Sequence, residues 1–159
     1  MACHSDQSLA LLADANHRER QILGAIAYQS NDTVLHTDSS VLPRNRNAWA
    51  AWNALIPQYG SDRCTVSYCM NLLQSLDAPQ PLIVSLNCTA RIAPEKILRR
   101  MSYAHPVYTH ASVAAQRRKM EIQGSAHTWF VGAYWGWGFH EDGMRSAVEV
   151  ANALGVRWP

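Results

Sequence analysis

Several features that identify common protein classes are absent from this sequence. No apolar run approaches the ~20 residues that a membrane-spanning helix needs, so we expect no membrane span. The N-terminus has no basic region ahead of an apolar stretch, and Asp6 interrupts it early, which is unlike a signal peptide. We therefore expect the chain to lie in the cytoplasm.

Paired metal ligands are also lacking. The four cysteines show no C-x-x-C spacing and the seven histidines no H-x-x-x-H spacing, so neither a zinc ribbon nor a redox motif is supported. We expect no metal site, and we interpret the histidines as scattered core and surface residues. In a cytoplasmic chain, all four thiols are expected to be reduced.

Charge is sparse, with 16% Asp, Glu, Lys and Arg and a formal net charge of +2. The basic residues are scattered apart from short clusters such as Arg117-Arg118-Lys119, whereas a nucleic-acid-binding protein usually shows a denser basic stripe. We expect no nucleic-acid partner and interpret these clusters as solvated faces. The low charge content also indicates that much surface is buried, either in the core or against a partner outside this chain.

At 159 residues the chain is long enough for one domain with a real core. Asn16 followed by Glu19 matches a capping box and predicts a helix start, with Gly24 at the helix end. Two further helices are predicted at residues 109–123 and 142–154. The buried stripe predicted for the second of these consists of Met144, Ala147, Val148, Ala151 and Leu154.

Alternating or continuous apolar patterns predict several strands. The predicted strands are residues 33–42, 65–72, 81–87, 101–107 and 128–134. Pro106 confines the fourth of these to a sheet edge or ends it. Residues 48–56 stay open between a helix, which their alanines favour, and a strand. The order of the elements predicts an α+β fold with a mixed, mostly antiparallel sheet and flanking helices.

The stretch GAYWGWGFHEDGMRSAVEVANALG, residues 132–155, places a glycine-rich turn before the last helix. Gly136 and Gly138 allow the backbone to approach a ligand closely. The N–H donors of a helix start, with about half a positive charge from the helix dipole, favour polar ligand groups. Glu141 and Asp142 both suit this position. One is explained as a cap, and the other could bind the hydroxyl of a sugar-like or polyol group.

This stretch resembles the C-terminal flavin-binding segment of FAD-dependent amine-oxidase-like proteins, in the bacterial branch known as predicted NAD/FAD-dependent oxidoreductases. The motif that carries the resemblance is G-x-G-F-H-E-D-G-x-x-S, which begins at Gly136. Further segments fit the same branch in collinear order over nearly the whole chain: ACHSDQSLALL, VLHTD, LPRNRNAWAAWN, VSYCMNLLQ, SLN, HPVY and AAQ. The family comparison also favours a strand for residues 48–56.

The resemblance implies FAD as the cofactor, a last helix that faces the flavin, and hydride transfer from a substrate to the flavin. The residues expected to bind the cofactor are Trp135, Gly136, Gly138, Phe139, His140, Glu141, Asp142, Gly143 and Met144. The resemblance puts the carboxylates near the ribityl or phosphate groups and the backbone N–H near Met144 at the pyrimidine edge of the isoalloxazine. Catalytic residues stay unassigned, because a packing or hydrogen-bonding role explains His140 better than a general base.

One part of the family pattern is missing. Family members begin with a strand, G-x-G-x-x-G and a helix, with an acid about 20 residues on, and this sequence has no such unit. Residues 1–159 therefore resemble a single partial domain, the substrate domain plus the C-terminal FAD-binding segment. We expect a truncated product or split subunit, not active alone, whose partner is a separate Rossmann-domain chain or a second copy. The alternative is a non-catalytic protein-interaction module derived from that family.

Overall fold

The computed structural model describes residues 1–56 and 63–157. They fall into two compact units. The described residues of Met1–Gln29 and His105–Pro159 form the helical unit, and those of Ser30–Ala104 form the sheet unit. Within the described ranges, no helix is both long enough and apolar enough to cross a membrane.

The strands of the described residues form one five-stranded antiparallel sheet with the order β2-β3-β4-β1-β5. Their bounds are Tyr28–His36 (β1), Trp52–Ala54 (β2), Val66–Cys69 (β3), Ile83–Leu86 (β4) and Ile97–Pro106 (β5). In the register of the central strands, Val34 lies opposite Ser85, and Ser85 lies opposite Ser67. Strand β5 is an edge strand that ends at Pro106, as expected for a residue without an N–H.

Most helices belong to the helical unit. The helices are Ser5–Leu11 (α1), His17–Gly24 (α2), Met70–Leu73 (α3), His110–Arg117 (α4) and His140–Ala153 (α5). The core of the helical unit is built by buried residues of α2 and of the segments around α4 and before α5. These core residues are Ile22, Leu23, Ile26, Ala115, Ile122, Phe130, Tyr134 and Trp135. The predicted α+β class with a mostly antiparallel sheet is confirmed.

A chain of buried polar groups crosses one face of the sheet. The Asp38 backbone N–H donates to His36 Nδ1 at 3.1 Å, which leaves Nε2 as the protonated nitrogen that faces Ser85 Oγ at 2.8 Å. Ser85 Oγ in turn lies 2.7 Å from Ser67 Oγ. Burial lowers the pKa of His36, and the Asp38 carboxylate only partly opposes this effect. The imidazole is therefore held neutral inside the sheet unit.

Side-chain bonds cap the start of α2, as the sequence predicts. The Asn16 side chain accepts from the Glu19 N–H at 2.9 Å, and the Glu19 carboxylate accepts from the Asn16 N–H at 2.7 Å. This is the predicted capping box of α2. Gly24, expected just beyond the helix, is instead its last residue. Within residues 48–56, which stayed open between a helix and a strand, Trp52–Ala54 form a strand, as the family comparison favoured.

Four predicted elements differ in the structure. Only the first part of the strand predicted at residues 33–42 belongs to β1, which ends at His36, and a 3-10 helix follows at Ser39–Val41. Strand β3 stops at Cys69 and the chain turns into α3, so Met70 and Leu72 do not continue the alternation. Helix α4 ends at Arg117 and a 3-10 turn follows at Lys119–Glu121. The strand predicted at residues 128–134 is absent. There, the Gln123 side chain accepts from the Phe130 N–H at 2.8 Å and donates to the Phe130 carbonyl at 2.7 Å. The backbone groups of Phe130 are therefore bonded to a side chain instead of a neighbouring strand.

Candidate functional site

A tight turn precedes α5 in the helical unit, and a glutamine of α4 holds it. The turn contains a 3-10 helix at Ala133–Trp135. The Gln116 side-chain amide donates to the carbonyl oxygens of Tyr134 and Gly136, at 2.9 and 2.7 Å. Two carbonyls of the turn are thereby fixed from one side, and the backbone that follows is directed toward the surface.

Asp142 closes the turn from the other side. Its side chain is buried, with 6% of the residue exposed, and Oδ2 accepts from the N–H groups of Trp137 and Phe139 at 2.8 and 3.1 Å. Arg145, one helical turn further on, pairs with Oδ1. Burial by itself would raise the pKa of Asp142, but the bonds from Phe139, Trp137 and Arg145 outweigh it and hold the pKa below the ordinary value. Asp142 is therefore a charged structural cap.

Two glycines are required by this geometry. A Cβ on Gly136 would lie 2.3 Å from Cγ of Asp142, so any side chain there would displace the cap. Gly138 has φ of 89°, a left-handed conformation that favours glycine, and its added Cβ would lie 2.7 Å from the Tyr108 hydroxyl. The Gly138 backbone is exposed at the surface, next to the start of α5.

The start of α5 presents free backbone donors. The Asp142 and Gly143 N–H groups donate to the Phe139 carbonyl at 3.0 and 3.3 Å, whereas the N–H groups of His140 and Glu141 donate to no described residue. In an α-helix the Met144 N–H pairs with the carbonyl four residues back, so it is not one of the free donors. The free donors are therefore His140 and Glu141 rather than the amide near Met144.

The side of α5 that packs inward is polar and small, unlike the predicted apolar stripe. The buried residues of α5 are Asp142 and Ser146, whereas Met144 and Leu154 are 40% and 60% exposed. Ser146 Oγ accepts from the Gly132 N–H at 2.9 Å and donates to the Gly143 carbonyl at 2.7 Å. The predicted burial of Met144 and Leu154 is wrong, because the helix docks against the backbone of the preceding turn and uses small, hydrogen-bonding side chains to do so.

The predicted site residues thus divide into three groups. Gly136, Asp142 and Gly143 form the frame, and a Cβ added to Gly143 would lie 3.6 Å from the Ala133 backbone nitrogen. Trp135 lies in the core, where its indole N–H donates to the Phe130 carbonyl at 3.0 Å. The exposed members, gathered around the free helix start, are Gly138, Phe139, His140, Glu141 and Met144.

Some residues that shape the site were not singled out by sequence reasoning. Arg145 stands three residues after Asp142, a spacing that predicts a helical ion pair and could have revealed it. Tyr108 and Gln116 lie in the HPVY and AAQ segments, but nothing in those short segments indicates that they reach the glycine turn. Trp137, by contrast, belongs to the glycine-rich stretch that the sequence did indicate; it is exposed and forms a tilted ring pair with Tyr108.

Comparisons with known proteins give no information on the function of this site. Neither a family model nor a curated protein sequence matches the chain. The exposed helix start, its two free donors and its apolar surroundings are the observations on which a functional interpretation depends.

Proposed function

We propose that residues 1–159 are the substrate-domain and flavin-facing part of an FAD-dependent oxidoreductase of the amine-oxidase type. The observation that carries this proposal is the exposed start of α5, where the free N–H groups of His140 and Glu141 lie beside the left-handed Gly138. Phe139 and Met144 add exposed apolar surface at the same place. An apolar surface beside free backbone donors suits a flat ring system with a polar edge.

The free donors have a defined electrostatic role in this proposal. When bound, FAD supplies the redox chemistry by accepting a hydride from the substrate. The N–H groups of His140 and Glu141, at the positive end of a 14-residue helix, would stabilise negative charge at the pyrimidine edge of the isoalloxazine. Because the Asp142 cap fixes the preceding Trp137 and Phe139 amides, the backbone that carries these donors needs no reorganisation when that charge develops.

The adjacent acids Glu141 and Asp142 have different roles in this proposal. Asp142 is committed to the Trp137 and Phe139 amides and to Arg145, so it serves the protein's own structure. Glu141 is exposed, and we assign to it a bond with a ribityl hydroxyl. A carboxylate at this point would repel a phosphate, which argues for the sugar-alcohol part of the cofactor rather than the pyrophosphate.

The other half of the cofactor needs residues that these 159 do not contain. No G-x-G-x-x-G segment occurs within residues 1–159. We propose that a Rossmann domain outside these residues, in a longer chain or a separate subunit, binds the adenine and pyrophosphate. By itself, this polypeptide would bind flavin weakly and would not turn over substrate.

The test is a titration of flavin fluorescence with the purified chain, using both FAD and riboflavin. The matched variants are Met144→Glu and Leu154→Glu, which add the same charge to exposed apolar positions at opposite ends of α5. We expect Met144→Glu to weaken flavin binding about tenfold, since a carboxylate would face the electron-rich carbonyl oxygens of the pyrimidine edge, and Leu154→Glu to leave it unchanged.

Repeating the titration with a separately produced Rossmann-domain protein distinguishes a split subunit from a lone flavin binder. Tighter FAD binding in the mixture, with riboflavin affinity unchanged, supports the split-subunit form, because only FAD carries the adenine half. Absence of flavin binding in every mixture, or equal losses in both variants, would refute the proposal.

A second candidate function, a non-catalytic interaction module, is favoured by one observation. Large apolar side chains stay exposed at the end of α5 and just beyond it, with Leu154 at 60% and Val156 at 59%. Such surface in a folded unit is typical of a protein contact. Analytical ultracentrifugation is the test: a dimer that Leu154→Glu dissociates would support this candidate, and a monomer at all concentrations would count against it.

A further inference from the structure

A cleft of about 410 Å³ lies on the helical unit beside the glycine turn. The exposed side of α4 forms its floor, through Val113 and Ala114, and the rings of Tyr108 and Trp137 form one wall. Arg117, the last residue of α4, also lines the cleft. None of these residues belongs to the set that the resemblance assigns to the cofactor.

The aromatic wall is suited to a flat ligand. The Tyr108 and Trp137 ring centroids are 5.3 Å apart with the planes tilted by 54°, so two ring faces are presented at an angle. Trp137 is 61% exposed, so its indole ring is accessible to a ligand. Stacking on such rings contributes beyond simple area burial and selects planar, unsaturated groups over compact polar ones.

Arg117 differs from its two basic neighbours. Arg118 pairs with Glu121 and Lys119 pairs with Glu149, whereas Arg117 forms no ion pair with any described residue. None of the residues that line the cleft is acidic. One unneutralised guanidinium in the basic cluster therefore faces a concave, partly aromatic surface, which is the arrangement that binds a carboxylate through its forked donors.

We infer that this cleft binds a planar organic anion, with its carboxylate on Arg117 and its unsaturated body against Tyr108 and Trp137. Resting on the proposed function, the ligand is the substrate class of the flavin site. The Tyr108 hydroxyl borders Gly138, so the cleft adjoins the glycine turn that precedes the free start of α5. A substrate held in the cleft thus lies next to the surface that is proposed to face the flavin.

The experiment uses the full chain without flavin and two probes of equal shape, 2-naphthoate and the neutral 2-naphthamide. Affinity is measured by isothermal titration calorimetry, and the place of binding by the indole N–H resonance of Trp137 in a ¹H–¹⁵N spectrum. We expect naphthoate to bind at one site, to shift the Trp137 resonance, and to exceed naphthamide in affinity about tenfold.

Variants assign the anion contact and the ring contact separately. Arg117→Gln should lower naphthoate affinity about tenfold and leave naphthamide unchanged, whereas the control Arg118→Gln should change neither. Trp137→Leu should weaken both probes. Circular dichroism of each variant verifies that it is folded.

Equal affinities for the two probes, no shift at Trp137, or no effect of Arg117→Gln would each overturn the inference. Because no flavin is added, these failures are distinguishable from a failure of the proposed function, which the flavin titration tests by itself.

Discussion

Replacing Asp142 with asparagine tests whether the buried carboxylate holds the glycine turn in place. The side chain keeps its shape, but two N–H bonds that now end on a charged oxygen would end on a neutral one. A bond to a charged group contributes about 1.5–3 kcal/mol and a neutral one about 0.5–1.5, so the two changes together cost about 2 kcal/mol. The pair with Arg145 adds at most ~1 kcal/mol, because the Arg145 side chain is 55% exposed.

Urea unfolding followed by circular dichroism measures this loss. With a dependence of about 2 kcal/mol per molar urea, the Asp142→Asn midpoint should fall by about 1 M. The control is Glu141→Gln, which removes the same charge from the adjacent, exposed residue of the first turn and should change the free energy of unfolding by no more than ~0.5 kcal/mol. An unchanged midpoint for Asp142→Asn, or an equal loss in the control, would show that the buried bonds do not stabilise the turn.

The pH dependence of unfolding provides a second test of the Asp142 cap. The pKa of Asp142 is lowered in the folded chain, so its stabilising contribution is present above the ordinary carboxyl pKa and is lost as pH falls. The difference between the wild-type and Asp142→Asn midpoints should therefore be constant near neutrality and shrink below about pH 4. A difference that grows on acidification would contradict this account.

Three further predictions concern other positions. Gly136→Ala should lower the thermal midpoint by more than Gly24→Ala, since its Cβ meets Asp142 Cγ at 2.3 Å while the Cβ at Gly24 meets only Leu9 Cδ2 at an ordinary 3.7 Å; equal losses would contradict this. Because burial lowers the pKa of His36, the unfolded chain takes up a proton first, and wild-type stability in urea should fall from pH 7 to 5.5 more steeply than that of His36→Gln. Asn16→Ala should cost about 1 kcal/mol in urea unfolding through loss of the α2 cap, and a cost near zero would contradict the capping role.

Much of the secondary structure could be predicted because it depends on neighbours in sequence. The Asn16 and Glu19 pair closes its box within four residues, and Pro106 ends β5 through its own missing N–H. The start of α5 also follows from a local glycine and acid pattern. At the candidate site, the sequence indicated Gly136 and Gly138 alike as positions of close backbone approach, and the structure shows that only Gly138 of these two has the left-handed conformation.

The amino-acid pattern is enough to predict the α+β class, because alternating and helical apolar spacings mark the strands and helices, and it is enough to predict the α2 capping box, because those bonds close within four residues. Contacts across the fold fix which acid is buried, why residues 128–134 are not a strand, and which cation of the basic cluster has no ion-pair partner among the described residues. These outcomes depend on partners far along the chain: Gln116 reaches Gly136, and Lys119 reaches Glu149. A periodic pattern records which face is apolar, but not which donor across the fold will take up a given carbonyl or carboxylate.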